Sequence, residues 1–292
     1  MNDSPDSLSI NALDIELGSG VDIGERTRIG GIGGSARRLR IGRHVSIGHD
    51  VTILAPDIEI GDYTVIHNHT LIYGYSPVSI GACSWIGQNV VLNCTDRLEI
   101  GRGCTISAYA SLWTHFSGGD PLQGCRFNSR KSLSIGEDSW IGVQCSVAPV
   151  TIGARALLLA GSVLTKDIGD DQTWGGNPSI DLTDKLGSPF KVVDAQTKYR
   201  QLCAMLDRFM AGEAKLQSGE PLPDPGDGTA WPADGHTREG IMLTHSGLRD
   251  PRYSVFDTAE RSYSALDTEQ EVAFMKWLLP LIRFYARGYS SQ

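Results

Sequence analysis

The 292-residue sequence has no run of about 18 apolar residues, so nothing in it reads as a membrane-crossing helix. Its opening, MNDSPDSLSINALD, has neither the basic start nor the apolar stretch of a secretory signal. Cysteine is sparse: Cys83, Cys94, Cys104, Cys125, Cys145 and Cys203 stand apart, without a CxxC pair. That spacing excludes the dense disulfide framework of a small secreted domain and fits a reducing cytoplasm. A basic excess is also missing. Lys and Arg number 14 against 20 Asp and Glu in residues 1–187, and 12 against 14 in residues 188–292, for a formal net charge of −8. General nucleic-acid binding rests on basic surface and does not fit that balance. With 40% hydrophobic and 21% charged residues the chain can bury a core, which sets aside a disordered or fibrous protein.

What is present is a repeat. Ile23-Gly24, Ile41-Gly42, Ile60-Gly61, Ile80-Gly81, Ile100-Gly101, Ile135-Gly136 and Ile152-Gly153 recur, mostly 17 to 20 residues apart. Within a period an aliphatic residue returns every six positions, as in Ile41/Ile47/Ile53, Ile60/Ile66/Ile72, Ile80/Ile86/Leu92 and Ile100/Ile106/Leu112. Small residues such as Thr27, Val45, Thr64 and Ser139 stand four positions after the first aliphatic. Three hexads make one coil of short strands whose inward side chains line a tube, and glycine after the aliphatic residue suits a tight corner. A single coil leaves its inner face and its strand edges unmet, whereas stacking about seven buries both.

The phase breaks once, between Leu112 and Ile135, where WTHFSGGDPLQGCRFNSRKS predicts an inserted loop over 113–132. A long excursion from a stiff scaffold commonly carries function. The repeat stops after Gly176-Asn177-Pro178, which places a β-helix domain over 1–187 and a second, mostly helical module of unassigned role over 188–292. Tyr199, Leu202, Cys203, Leu206, Phe209 and Met210 follow helical spacing and predict a helix over about 195–216. GEPLPDPGDGTAWPADG reads as a connection. The Thr268-x-x-Glu271 capping box predicts a last helix carrying Phe274, Trp277, Leu278, Leu281, Ile282 and Tyr285 on one face, kinked at Pro280. His236, His245, Asp250, Arg252 and Tyr253 form a polar group without ligand or catalytic spacing.

The runs TISAYASLWTHF, SIGEDSWIGVQCSVAPVTIGARALLLAGSVLTKDI and WGGNPSIDL resemble the hexapeptide-repeat acyltransferases, the family of the maltose, galactoside and polysaccharide O-acetyltransferases. The resemblance covers about residues 20–182 and implies a left-handed parallel β-helix, an acetyl-CoA acyl donor and a homotrimer with its sites between neighbouring subunits. No metal is implied. His115, which opens the inserted loop, matches the family's general base; an imidazole takes the acceptor's proton as the thioester is attacked.

Ala160, Gly161, Ser162, Thr165 and Lys166 match the stretch whose backbone amides line the pantetheine groove, with Lys166 toward the coenzyme phosphates. Asn177-Pro178 matches the motif where the coils end beside the coenzyme, and Trp174 is expected to cover the adenine or pantetheine by stacking. Trp140 matches a position flanking the acyl-bearing end. Asn89 and Asp96 match residues that bind the acceptor or orient the base. Family base rates point to a hydroxyl or amine acceptor on a saccharide or sugar-nucleotide in surface-glycan synthesis, with an antibiotic or other small metabolite next.

A rival from another class is a zinc lyase similar to the γ-class carbonic anhydrases, whose metal is held by histidines from adjacent coils. His44, His49, His67 and His69 supply imidazoles, and the 18-residue interval from His49 to His67 predicts that these two stand close on successive coils. That reading leaves the His115 loop unexplained. A sugar nucleotidyltransferase lacks its Gly-rich domain here, and an inactive scaffold has no use for the WTH, SWIG and GNP elements.

Overall fold

A computed structural model describes residues 8–215, 221–223 and 232–287. The chain divides into two compact units, Met1–Phe190 and Lys191–Gln292.

The first unit is a parallel β-helix of seven coils, each turning through three short strands. Strands of the first face run from Ala12–Leu17 to Thr151–Ile152, those of the second from Asp22–Ile23 to Thr173–Gly176, and those of the third from Ser9–Ile10 to Val163–Leu164. The hexad spacing sets the register directly. Ile60, Ile80, Ile100, Ile135 and Ile152 stack on the first face. Ile47, Ile66, Ile86, Ile106, Ile141 and Leu158 stack on the second. Ile53, Ile72, Leu92, Leu112, Val147 and Leu164 stack on the third. All are buried in one continuous core. Each fully buried aliphatic side chain contributes about 1.5–3 kcal/mol by leaving water.

The small residues at the corners tie one coil to the next. Hydroxyls of Thr27, Thr64, Thr70, Ser84 and Ser139 donate to the carbonyls of Gly48, Gly81, Gly87, Gly101 and Gly153, at 2.7–3.0 Å. These bonds satisfy hydroxyls that burial would otherwise strand.

The glycines of the Ile-Gly pairs have a different role from the one expected. None of them takes a positive φ; the left-handed corner positions belong to other residues, among them His44, Tyr63, Cys83, Asp138 and Gln144, and the glycines Gly20, Gly103 and Gly161. What excludes a side chain from the Ile-Gly glycines is the adjacent coil: a Cβ on Gly81 would lie 2.4 Å from the backbone N of Arg102, and one on Gly136 2.4 Å from that of Ala154. Charged corners stack as ion pairs, among them Arg43–Asp62 at 2.6 Å and Arg102–Glu137 at 2.8 Å.

The coils end in a hairpin, Thr173–Gly176 with Ser179–Asp181, followed by the single-turn helix α1 (Thr183–Leu186). The second unit holds the two expected helices, α2 (Ala195–Met210), which stops short of the predicted end near 216, and α3 (Glu269–Leu278), together with a five-stranded sheet that the periodicity did not reveal. Its central strands Ile241–Thr244 and Ser254–Asp257 are buried along their whole length, so they carry no alternation of apolar and polar residues. Phe256 packs against Tyr263, Phe274 and Phe284.

The last helix is shorter than expected: α3 stops at Leu278 and Tyr285 lies in a strand. Pro280 ends this helix rather than kinking it, because it cannot donate to the carbonyl of Lys276 and its ring crowds that turn. The carbonyl so freed accepts from Lys215 Nζ at 3.0 Å. At the other end Thr268 Oγ1 accepts from Glu271 N at 3.2 Å, while the buried Glu271 carboxylate accepts from the N–H groups of Asp267 (2.9 Å) and Leu266 (3.2 Å). The Pro/Gly-rich connection predicted over 219–235 lies mostly outside the described residues. Among the described residues no helix is long and apolar enough to cross a membrane.

Candidate active site

A triangular tube has three edges, and the strand order assigns each candidate residue to one of them. Asp96, His115, Thr165 and Lys166 follow strands of the third face and lie on the edge between the third and first faces. Asn89, Ala160 and Gly161 lie on the edge between the second and third faces, and Trp140 and Trp174 on the second face itself. A single chain therefore does not gather the expected set at one place.

His115 begins the insertion. The chain leaves the fifth coil after Ser111–Leu112 and turns out as an antiparallel ribbon, His115–Ser117 against Asn128–Arg130, with His115 directly opposite Arg130. A 3-10 turn at Pro121–Gln123 closes the loop, capped by Asp120, whose carboxylate accepts from Leu122 N at 2.8 Å. The half-buried His115 ring is held from below: Nδ1 lies 2.9 Å from Oδ1 of the fully buried Asn93, one coil earlier. Thr114, also fully buried, reaches the same Asn93 through Oγ1, 2.9 Å from Oδ1 and 3.1 Å from the carbonyl oxygen, and accepts from Asp96 N at 3.0 Å.

Arg130 pins the ribbon to the coils beneath it. Its Nε is 3.6 Å from Asp96 and its Nη2 3.4 Å from the Ser76 hydroxyl, spanning two preceding coils. Asp96 thus anchors the loop, while Asn89 stands at a left-handed corner before its strand and has no hydrogen bond to His115.

Asn93 was not singled out from the sequence. Its one signal is an amide in a strand position where the register equivalents are Tyr73 and Leu54. The adjacent Cys94 is fully buried, and burial pushes its thiol up to about 12, so it supplies no thiolate to this corner.

The residues expected at the coenzyme groove divide by what they already bind. Trp140 is half exposed, its indole N–H donating to Ser107 Oγ at 2.9 Å, which fixes an open aromatic face on the second face. Ala160 and Gly161 form an exposed turn, with Gly161 N–H donating to Val143 O at 2.8 Å. Ser162 is fully buried; its hydroxyl donates to Leu159 O at 2.6 Å and accepts from Gly176 N at 3.1 Å, bracing the final hairpin. Thr165 and Lys166 are exposed. Trp174 packs on the end of the core with its N–H on Gln172 at 3.0 Å. Asn177 and Pro178, joined by a cis peptide bond, form the exposed tip of the terminal hairpin.

The histidines considered as metal ligands do not converge. In the register of successive coils His49 meets Asn68, whose Oδ1 accepts from His49 N at 2.9 Å, and His69 meets Asp50, 3.9 Å away. His67 packs on Trp85 instead. Among the described residues no group of three His, Cys, Asp or Glu is placed to hold a metal ion. In the second unit Asp250 pairs with Arg252, whose hydrogen bonds pull its carboxyl down to about 2, and His245 meets Tyr199 edge-on at 4.8 Å beside Asp234.

Residues 132–166 match the family described as hexapeptide repeat of succinyl-transferase. The bifunctional protein GlmU of Cereibacter sphaeroides is 30% identical over 115 residues, covering 39% of this chain and 21% of that protein. GlmU of Acaryochloris marina is 29% identical over 181 residues, covering 57% and 39%. The chain thus spans well under half the length of these curated relatives. Solved structures with a similar fold include the polySia specific acetyltransferase NeuO, at 18% identity, TM-score 0.47, with 70% of this chain and 97% of that one covered. Another is AntD, an N-acyltransferase from Bacillus cereus, at 19% identity, TM-score 0.38, with 57% and 89% covered. The first unit is thus a parallel β-helix of seven coils, and over residues 132–166 the chain is similar to the transferases that carry this hexapeptide repeat.

Proposed function

We propose that the chain is an acyl-CoA-dependent acyltransferase, with acetyl-CoA as donor and a hydroxyl or amine of a saccharide or sugar-nucleotide in surface-glycan synthesis as acceptor. The observation that carries this reading is His115. It is the one histidine set at the root of the inserted ribbon, half-buried, its ring held at Nδ1 by a buried amide. That is the arrangement a general base requires, because a loosely held ring loses the orientation on which proton transfer depends.

The step is direct. An imidazole nitrogen of His115 takes the proton of the acceptor O–H or N–H as the heteroatom bonds to the acyl carbon. The carbon–sulfur bond then breaks, and the proton passes to the coenzyme thiolate. Backbone donors stabilise the oxyanion between these events. A covalent acyl-cysteine route through Cys94 is unsupported, since that thiol is buried and held protonated.

The division of candidates between edges of the tube supports a site completed by a second copy, and we propose a homotrimer in the cytoplasm. In it, His115 of one chain faces a coenzyme groove lined by Trp140 and the 160–166 stretch of the next, with Trp174, Asn177 and Pro178 at its end. Thr165 and Lys166 serve the coenzyme, and Asp96 and Asn89 the acceptor side. Calorimetric titration of acetyl-CoA into chelator-treated protein tests the donor without the acceptor. Micromolar binding is the expected result, and no binding with zinc recovered in the chelate overturns it.

A further inference from the structure

We infer that Asn93 is a positioning residue that holds His115 in its Nδ1-protonated tautomer and leaves Nε2 as the proton acceptor. The acyl-transfer reading supplies only what Nε2 then does; the tautomer follows from the hydrogen bonds alone.

The argument starts from a group whose role has no alternative. A backbone N–H can only donate, and Thr95 N donates to the Asn93 side chain at 3.2 Å, so the atom facing it is the amide oxygen. The amide nitrogen then lies toward Thr95 Oγ1, to which it donates at 3.2 Å. Thr95 therefore fixes both ends of the Asn93 amide and removes the ambiguity that usually attends an asparagine.

An amide oxygen carries no proton. Its 2.9 Å contact with His115 Nδ1 is a hydrogen bond only if Nδ1 bears the hydrogen. A neutral imidazole has one N–H, so Nε2 is left with its lone pair. Thr114 is consistent with this: Oγ1 accepts from Asp96 N and spends its single proton on Asn93.

Two features make the restraint effective. Asn93 and Thr114 are fully buried, so no water competes for the amide oxygen and breaking the bond strands a desolvated acceptor. The partner is also neutral. A carboxylate in its place would hold the ring equally well but would favour the imidazolium, which is no base. The charged groups on neighbouring elements include Arg130, across the ribbon, with Lys131 beside it, and Asp96 on the coil beneath, with Arg97 beside it; Arg130 and Asp96 pair at 3.6 Å and Arg97 pairs with Glu99. A histidine side chain in water prefers the opposite tautomer, with hydrogen on Nε2, so the inference has a sign that can be read.

The experiment is a long-range proton–nitrogen correlation spectrum of the full chain labelled with nitrogen-15 histidine, with His115 assigned by its loss in His115→Gln. The expected result, in alkaline buffer, is a protonated, pyrrole-like Nδ1 and a bare, pyridine-like Nε2 at His115. Asn93→Ala should shift that signal toward the Nε2-protonated form. Asn93→Asp, whose carboxylate oxygen accepts from the same nitrogen, should keep Nδ1 protonated, a tautomer that a merely space-filling role at this position would not preserve. A parent protein with Nε2 protonated overturns the inference, as does a folded Asn93→Ala with an unchanged spectrum. If Asn93→Ala does not fold, Asn93→Asp decides: a variant with hydrogen on Nε2 and a bare Nδ1 then overturns it. Acetyl-CoA binding is read separately, so a protein with the expected tautomer and no coenzyme affinity keeps this assignment and loses the acyl-transfer reading.

Discussion

His115 Nδ1 and Asn93 Oδ1, 22 residues apart in sequence, meet at 2.9 Å across one rise of the β-helix. On the proposed assignment the ring's other nitrogen takes the proton. Replacing His115 with Ala should lower turnover by about 10²–10⁴-fold, the usual scale for loss of a general base. Acetyl-CoA affinity should stay within a few-fold of the parent. Thiol release and calorimetry on the same preparation check both, and a variant with near-parental turnover removes His115 from its role.

Arg130 ties the ribbon to Asp96 and Ser76, and its side chain is more than half exposed. An exposed pair of this kind contributes at most about 1 kcal/mol to global stability, so Arg130→Met should hardly move the unfolding midpoint. It should instead loosen the loop that bears the exposed Phe116, Leu122 and Phe127. Chymotrypsin is then expected to nick 116–127 several-fold faster in the variant, and equal rates would show that Arg130 is not the anchor.

The two kinds of corner position should respond in opposite ways. In Gly81→Ala the new Cβ meets the backbone of Arg102 at 2.4 Å, and the cost should be about 1–3 kcal/mol or more, as for overpacking. In Gln144→Gly a residue with φ +58° is relieved of a left-handed penalty of about 1–2 kcal/mol, partly offset by the greater freedom of glycine in the unfolded chain. Its stability should be unchanged or raised. Urea unfolding curves of the two variants against the parent distinguish this from a scheme in which the Ile-Gly glycines are the left-handed residues.

His67 packs against Trp85, and burial lowers its titration below the ordinary imidazole value of 6.5. The unfolded chain therefore binds this proton at a pH where the folded chain still refuses it. Its contribution to stability is fully present above pH 6.5 and is lost as pH falls from there through the folded-state value. His236 in the second unit is lowered by burial as well and acts with the same sign. Denaturation midpoints measured from pH 5 to 8 should fall on the acid side, and His67→Gln with His236→Gln should flatten that slope. An undiminished slope in the double variant would assign the acid sensitivity elsewhere.

The tube itself was readable in the sequence because its construction is local: one aliphatic residue per six fixes each strand, and adding coils repeats the same contacts. The interruption after Leu112 and the helices α2 and α3 were readable for the same reason, as breaks and periods along the chain. The sheet of the second unit was not, since strands of four buried residues show neither period, and two of its four pairings are parallel ones that skip over intervening chain, as Ser262 with Tyr285.

The site shows the same division. His115 was conspicuous because it opens an insertion, and its residue type already implies proton transfer. Asn93 was invisible as its partner, because what brings the two together is the rise of one coil over another, and only the stacked structure places a buried amide beneath a chosen ring. The edges of the tube were likewise undecided by the spacing of Asn89, Trp140 and Ser162. Sequence alone determined which side chains point inward and where the coil is broken. Tertiary structure decided which polar groups are already spent on neighbouring coils and which remain open, because hydrogen-bond partners between coils are set by stacking in space rather than by position along the chain.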